Sequence, residues 1–287
     1  MEAVGTIEEI WRYPVKSMGG EKIASCGVGV LGVAGDRGWA IRDEKAGEIR
    51  GAKKLPHLMR CRASYVSEPD GKGVPVAEIT FPDGETLLSD DRKAAARLSE
   101  LIGRPVTLWP IQPVENRDFY RRSAPDNPDM MAELREIFGR VQDEPIPDLT
   151  MFPAEILEFT SPLGTYFDVF PIHVLTTASL AELSRLNPGA NFDARRFRPN
   201  FLIKSNDKVR GFEETTWSGR IVRIGEVRLK IEMPTVRCVM PTLEQGELPK
   251  DSSVLRTIVK HAKQNVGLYA TVAQPGTVRA GDPVVLE

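Results

Sequence analysis

Apolar and polar positions alternate with period two along Val227–Met233, where Val227, Leu229, Ile231 and Met233 interleave with Arg228, Lys230 and Glu232. That alternation predicts a strand with one buried face. Pro234 has no N–H to give a ladder, so the strand is expected to end there. A second clear case lies within Leu58–Val66: Met59, Cys61, Ala63 and Tyr65 alternate with Arg60, Arg62 and Ser64, which assigns Cys61 to the core. Further strands are expected over Thr6–Arg12, Ile23–Val30, Gly38–Arg42, Val76–Phe81 and Val106–Trp109. In the second half they fall at Asn200–Lys204, Ser218–Ile224, Gly267–Val272 and Val284–Leu286.

Helical periodicity is sparser. Ala94, Leu98, Leu101 and Ile102 form a stripe over Asp91–Leu101, with Asp90 as the expected N-cap and Gly103 as the stop. A short patch spans Met130–Phe138. Thr177 or Ser179 caps a helix running to Leu186, Ser179-Leu-Ala-Glu182 fitting a capping box and Asn187-Pro188-Gly189 closing it. The last helix is Ser252–Lys263, capped by Asp251, with Leu255, Ile258, Val259 and Ala262 on one face. The chain therefore reads as mainly β with some α, and short strands at this spacing suggest barrels or sandwiches. Eight prolines between residues 110 and 165 break the pattern. They predict an N-terminal domain over 1–112, a proline-rich connecting segment over 113–165 that could lid a cleft, and a second domain over 166–287.

Composition narrows the class without choosing a function. The 287 residues are 41% hydrophobic and 27% charged, ordinary for a globular chain. The net charge of −2 gives no global attraction to nucleic acid or a membrane surface, so neither is an expected partner, and an anionic ligand needs a local cluster of cations. Cysteines at 26, 61 and 238 make no Cys-x-x-Cys, and three isolated histidines make no zinc spacing. With no signal-peptide pattern and no long apolar run, the expectation is a cytoplasmic protein.

Cys238 is the candidate reactive atom. It follows the Val227–Met233 strand in Pro-Thr-Val-Arg-Cys-Val-Met-Pro, bracketed by Pro234 and Pro241, with Arg237 as a counter-charge for a thiolate. The alternative is a small apolar cysteine packed in a loop. Glu244 and Glu247 are weak acid–base candidates near it. Four other clusters could bind an anion. In Tyr13-Pro14-Val15-Lys16-Ser17 an ammonium sits beside a hydroxyl, and in Gly35-Asp36-Arg37-Gly38-Trp39 a glycine-flanked arginine precedes a strand. Arg195-Arg196-Phe197-Arg198-Pro199-Asn200 carries three arginines into an apolar strand, with Asn200 at its mouth. Thr176, Thr177 and Ser179 gather hydroxyls at a helix start, either to bind an anion or simply to cap the helix. No P-loop, Rossmann fingerprint or Ser-His-Asp spacing is present.

Taken in order, these residues resemble the MOSC family, proteins related to the C-terminal domain of molybdenum cofactor sulfurase, preceded by the MOSC N-terminal β-barrel domain. Tyr13-Pro14-Val15-Lys16-Ser17 and Gly35-Asp36-Arg37-x-Trp39 are similar to the N-terminal domain. Arg196-Phe197-Arg198-Pro199-Asn200, Arg237-Cys238 and Pro275-Gly276-x-Val278-x-x-Gly281-Asp282 are similar to the MOSC core. The resemblance implies two linked β-barrel-type domains with a molybdenum cofactor, a Mo-pyranopterin, in the cleft between them. By position Cys238 would ligate the metal. Lys16, Ser17, Arg37, Arg198 and Asn200 would hold the pterin and its phosphate, with Thr176, Thr177 and Arg196 as further contacts.

The activity implied is that of the amidoxime reductases: removal of oxygen from N-hydroxylated small molecules, amidoximes or hydroxylamines, with electrons from a separate ferredoxin-, flavin- or haem-type donor protein. The chain departs from those reductases after Cys238, where Pro241-Thr242 and Glu244 replace a Thr-Thr pair and an Asp. Two other readings follow from the same family: a sulfurtransferase carrying a persulfide on Cys238, or a non-catalytic carrier of the cofactor. The pyridoxal-phosphate domain of the full sulfurase finds no room in 287 residues, so pyridoxal phosphate would be only an inherited family term.

Overall fold

The computed structural model describes all of residues 1–287. Seven strands close into a barrel: β1 (Glu2–Arg12), β2 (Ile172–Thr176), β3 (Phe201–Ser205), β4 (Ile221–Ile224), β5 (Val227–Val236), β6 (Asn265–Gln274) and β7 (Pro283–Leu286). Their order round the barrel is β3-β2-β6-β5-β4-β7-β1, and β1 returns to β3. Only β2 and β3 run parallel, joined by helix Thr177–Leu186, as a parallel pair requires. The interior is a cluster of 22 buried residues, including Ile7, Ile10, Val174, Phe201, Ile231 and Leu268.

The first strand of the chain thus staves a barrel otherwise made from residues 172–286. Ser25–Gly29 follows it, pairing with Gly276–Arg279 and adding Cys26 and Val28 to the same core. The rest of the N-terminal third forms two small sheets. One is centred on Trp39–Asp43 between Val106–Pro110 and Glu48–Ile49; the other joins Arg62–Tyr65, Ala77–Thr80 and Thr86–Leu88. Val15 and Gly19 bridge to Trp39 and Arg62 respectively, and a second core of 13 residues fills the space, with Cys61 in it.

The fold class is mainly β with six short α-helices, as the patterning predicts. Four local expectations are corrected. β5 passes through Pro234 and ends at Val236. Its neighbour β4 pairs only up to Lys230, and bulges break the ladder to β6 on either side of Pro234, so a residue without N–H fits there. Leu58–Val66 divides into a 3₁₀ turn, Pro56–Arg60, and a strand, Arg62–Tyr65. The first long helix is capped by Asp91 rather than Asp90, and the helix after β2 by Thr176, which places Ser179 inside it. No helix is long and apolar enough to cross a membrane.

Candidate functional site

A cleft open to solvent at its mouth lies between the barrel and the N-terminal sheets. Six of the nine residues singled out from sequence line it: Lys16, Ser17, Arg37, Arg198, Asn200 and Cys238. They arrive from separate places. Lys16 and Ser17 sit in the turn after β1, and Arg37 just before Trp39–Asp43. Arg198 and Asn200 lead into β3, and Cys238 lies two residues past the end of β5.

The backbone that presents these side chains is strained. Only five non-glycine residues have positive φ, and Ser17 (70°), Arg37 (51°) and Arg198 (56°) are three of them. Left-handed backbone costs roughly 1 kcal/mol or more at a residue with a Cβ and tends to concentrate at functional positions. Here it turns a hydroxyl and two guanidinium groups into one cleft.

Electrostatics at the site are unbalanced toward positive charge. Four cations line it, Lys16, Arg37, Arg198 and Arg237, against one carboxylate, Asp168. Lys16 Nζ donates to Asp168 Oδ1 at 2.6 Å and to the Tyr166 carbonyl at 2.7 Å, and Lys53 Nζ reaches Asp168 Oδ2 at 3.1 Å. Burial alone would raise the Asp168 carboxyl, but Lys16 and Lys53 hold it well below the usual range. Burial lowers Lys16, partly offset by Asp168. Arg37 pairs with Asp36, whose side chain is wholly buried.

Arg198 has no acidic partner of its own. One of its Nη atoms donates to the Met18 carbonyl, and its guanidinium lies 4.1 Å from the centre of the Tyr13 ring. Burial and then the neighbouring Arg37 lower it to about 10. Its second Nη is buried without a partner, as are Arg237 Nε and Thr235 Oγ1 in the same cleft. Buried polar atoms are ordinarily paired. Three unpaired in one cleft suit a ligand rich in hydrogen-bonding groups and negative charge.

The protein supplies few metal ligands. No group of three His, Cys, Asp or Glu residues converges anywhere in the chain. Cys238 is a free thiol, half-buried, lining the cleft on one side and packing against the Ala52, Met59, Met240 and Leu243 cluster on the other. A metal held here would have to bring most of its ligands with it. A pterin dithiolene does so, and thiolate is a soft donor that suits the metal it carries. The donor set therefore fits the molybdenum cofactor.

Three sequence candidates are not brought to the cleft. Thr176 Oγ1 accepts the Ser179 N–H as a helix cap, and Thr177 Oγ1 accepts the Ser205 N–H. An internal carboxyl, Glu214, accepts the Ser179 hydroxyl at that helix start, so the hydroxyl is engaged within the fold. Arg196 is buried, donating to the carbonyls of Pro241, Leu243 and Pro249, where it braces the loop beyond Cys238. Glu244 pairs with Arg60 and Glu247 with Arg195, so neither faces the thiol as a base.

Others line the cleft without having been singled out: Phe167, Asp168, Phe170, His173 and Tyr269. The one available signal was Tyr166-Phe167-Asp168-Val169-Phe170, a lone acid among aromatics in a loop.

Residues 165–285 match the model of the MOSC domain, and residues 4–101 that of the MOSC N-terminal beta barrel domain. Mitochondrial amidoxime-reducing component 1 of Homo sapiens is 24% identical over 316 residues, covering 100% of this chain and 84% of the human protein. Mitochondrial amidoxime reducing component 2 of Bos taurus is 24% identical over 309 residues, covering 99% and 84%. The component 1 of Danio rerio is 32% identical over a shorter span of 129 residues, 42% of this chain and 38% of that protein. Among solved structures, the YUAD protein from Bacillus subtilis covers 100% of this chain and 97% of its own, at a TM-score of 0.45 and 10% identity.

Proposed function

The chain belongs to the MOSC family, joining that domain to its N-terminal beta barrel partner, and from this premise we propose that it is a molybdenum-cofactor oxidoreductase that reduces N-hydroxylated compounds. The observation that carries the reading is the convergence of one free thiol, Cys238, with Lys16, Ser17, Arg37, Arg198 and Asn200 on a single cleft. Relatives named as amidoxime-reducing components, aligned over nearly the whole chain, support the reaction class.

In this reading Cys238 is the protein ligand of the metal. Lys16, Arg37 and Arg198 bind the pterin phosphate, as guanidinium and ammonium groups do. The Nη of Arg198 and Nε of Arg237 that no protein group accepts supply further donors. Phe167, Phe170 and Tyr269 form the apolar wall that keeps water from the reacting end. The cofactor, when bound, supplies the two-electron chemistry. In balance, an amidoxime takes up two electrons and two protons and gives an amidine and water. Electrons come from a separate donor protein of ferredoxin, flavin or haem type. A cytoplasmic setting, expected from the sequence, is part of the same proposal.

Metal analysis of protein made in a cofactor-competent host tests the reading. The expected result is about one molybdenum per chain, lost in Cys238→Ser, with turnover of benzamidoxime by a reduced viologen. Metal-free protein with a cyanide-labile sulfur on Cys238 would replace it by sulfur transfer. Retained metal without turnover would leave a cofactor carrier.

A further inference from the structure

Residues 102–164 lie outside both family matches, yet the backbone on each side of Cys238 is held from within them. The carbonyl of Arg237 accepts from Arg140 Nη2 at 3.0 Å. The N–H of Val239 donates to the Ile137 carbonyl at 3.2 Å. These two groups belong to the peptide units before and after Cys238, so the two bonds together restrain both of its backbone torsions.

The grip is built with some care. Arg140 is only 5% exposed. Its Nε and Nη2 both donate to Gln264 Oε1, at 3.0 and 2.9 Å, and its other Nη to the Phe138 carbonyl. Gln264 in turn accepts the Arg237 N–H on its own carbonyl at 2.9 Å, from a backbone held at φ 70°. Arg140 reaches this position because helix Met130–Phe138 ends in a left-handed cap at Gly139. A Cβ there would stand 2.8 Å from Leu255 and 3.2 Å from Val239, so only glycine lets the helix end approach the cysteine loop. Lys54 anchors the same helix to the N-terminal unit through Glu133 at 2.6 Å.

We propose that Arg140 is a positioning residue, and that the 130–140 segment is a clamp that fixes the backbone of Cys238 so that its sulfur meets the cleft. The importance of that sulfur rests on the functional reading above; the clamp itself rests on the bonds to Arg237 and Val239.

The test is made on the cofactor-free full chain. Arg140→Met keeps much of the packing and removes every donor, whereas Arg140→Lys keeps one charged donor able to reach Arg237 O and Gln264 Oε1. Amide exchange of Val239 is expected to rise about tenfold or more in Arg140→Met while barrel amides such as Leu229 hold their rates. Alkylation of Cys238 by iodoacetamide should accelerate in parallel, with buried Cys26 and Cys61 as internal controls. Arg140→Lys should recover most of both effects, which a role in packing alone would not produce. Should Arg140→Met fail to fold, Gln264→Leu, which leaves Arg140 in place, is expected to loosen the same peptide to a smaller extent. Val239 exchange within about twofold of wild type in the folded variants, or Arg140→Lys no better than Arg140→Met, overturns the proposal. Failure of the protein to bind molybdenum would refute the functional reading and leave these rates unaffected.

Discussion

Asn200 donates from Nδ2 to Asp36 Oδ2 over 2.8 Å, tying the mouth of a barrel strand to the loop that carries Arg37. The other end of the same amide accepts the His173 N–H at 3.0 Å, and the other oxygen of the carboxylate accepts the Tyr13 N–H at 2.8 Å. One buried pair therefore sets the spacing between Arg37, Tyr13 and the Arg198 strand.

Removing Asp36 would leave Arg37 confined beside Arg198 without a counter-charge. Breaking a buried pair from one side costs about 3–5 kcal/mol, whereas loss of a neutral donor costs about 1–2 kcal/mol. Asp36→Ala is thus expected to destabilise well beyond Asn200→Ala in urea unfolding. The double variant should fall short of the sum by about 1 kcal/mol, since both changes break the same bond. Full additivity would assign the two residues to separate tasks.

Arg198 combines left-handed backbone, an unpaired buried nitrogen and a cationic neighbour, each unfavourable in itself. Arg198→Met gives up the bond to Met18 and relieves the repulsion with Arg37. The expected stability change is within about 1 kcal/mol. Molybdenum content should nonetheless fall about tenfold, the loss of a charge-assisted contact to an anion. Stability lower by more than about 2 kcal/mol with metal content intact would make Arg198 a structural residue.

Six of the seven barrel strands were legible, the clearest, Val227–Val236, because buried and exposed positions alternate along it, and Phe201–Ser205 as a short apolar run after Pro199. The exception, Ile172–Thr176, is buried at every position and so has no alternation to read. The cations and the cysteine were legible as residue types crowded at strand ends and tight turns. What the sequence hid is tertiary: Asp168 meets Lys16 across 152 residues, and Arg140 meets Arg237 across 97. Nothing in the local pattern around Arg140 distinguishes it from the neighbouring surface arginines. Thr176, Thr177 and Arg196 carried the right chemistry for an anion, but backbone groups inside the fold engage them first.

Two buried groups give the stability profile opposing slopes near neutrality. Burial, and then Arg237, keep His173 neutral well below the usual histidine range. Its unfolded form gains a proton below about pH 6.5 and the folded form does not, so acidification costs up to about 1.4 kcal/mol per pH unit there. Burial raises Glu214 to about 7. Its folded form takes a proton first, so acidification from pH 7.5 toward the ordinary carboxylate range stabilises by a similar slope. Wild-type stability in denaturant should be nearly flat from pH 7 to 5.5. His173→Gln should become more stable over that interval and Glu214→Gln less stable. Parallel profiles for the two variants would show that neither group titrates as its surroundings dictate.

Asp168 pairs with Lys16, which lines the cleft, and with Lys53, and any anionic ligand competes with it for them. Its side chain is 38% exposed, so water screens the pair. Asp168→Asn is accordingly expected to cost about 1–2 kcal/mol at pH 7, below the figure for a fully enclosed pair. The sign of its pH dependence follows from a carboxyl held below its unfolded value. The stabilisation is complete above the unfolded pKa and is lost only as pH falls through the depressed folded one. The gap between wild type and Asp168→Asn should therefore persist at pH 4 and close at lower pH. Freed of their competitor, the two lysines should bind inorganic phosphate more tightly in the variant, by a few-fold in calorimetric titration at low salt. Weaker phosphate binding by Asp168→Asn would mean that the carboxylate arranges the lysines for the anion rather than competing with it.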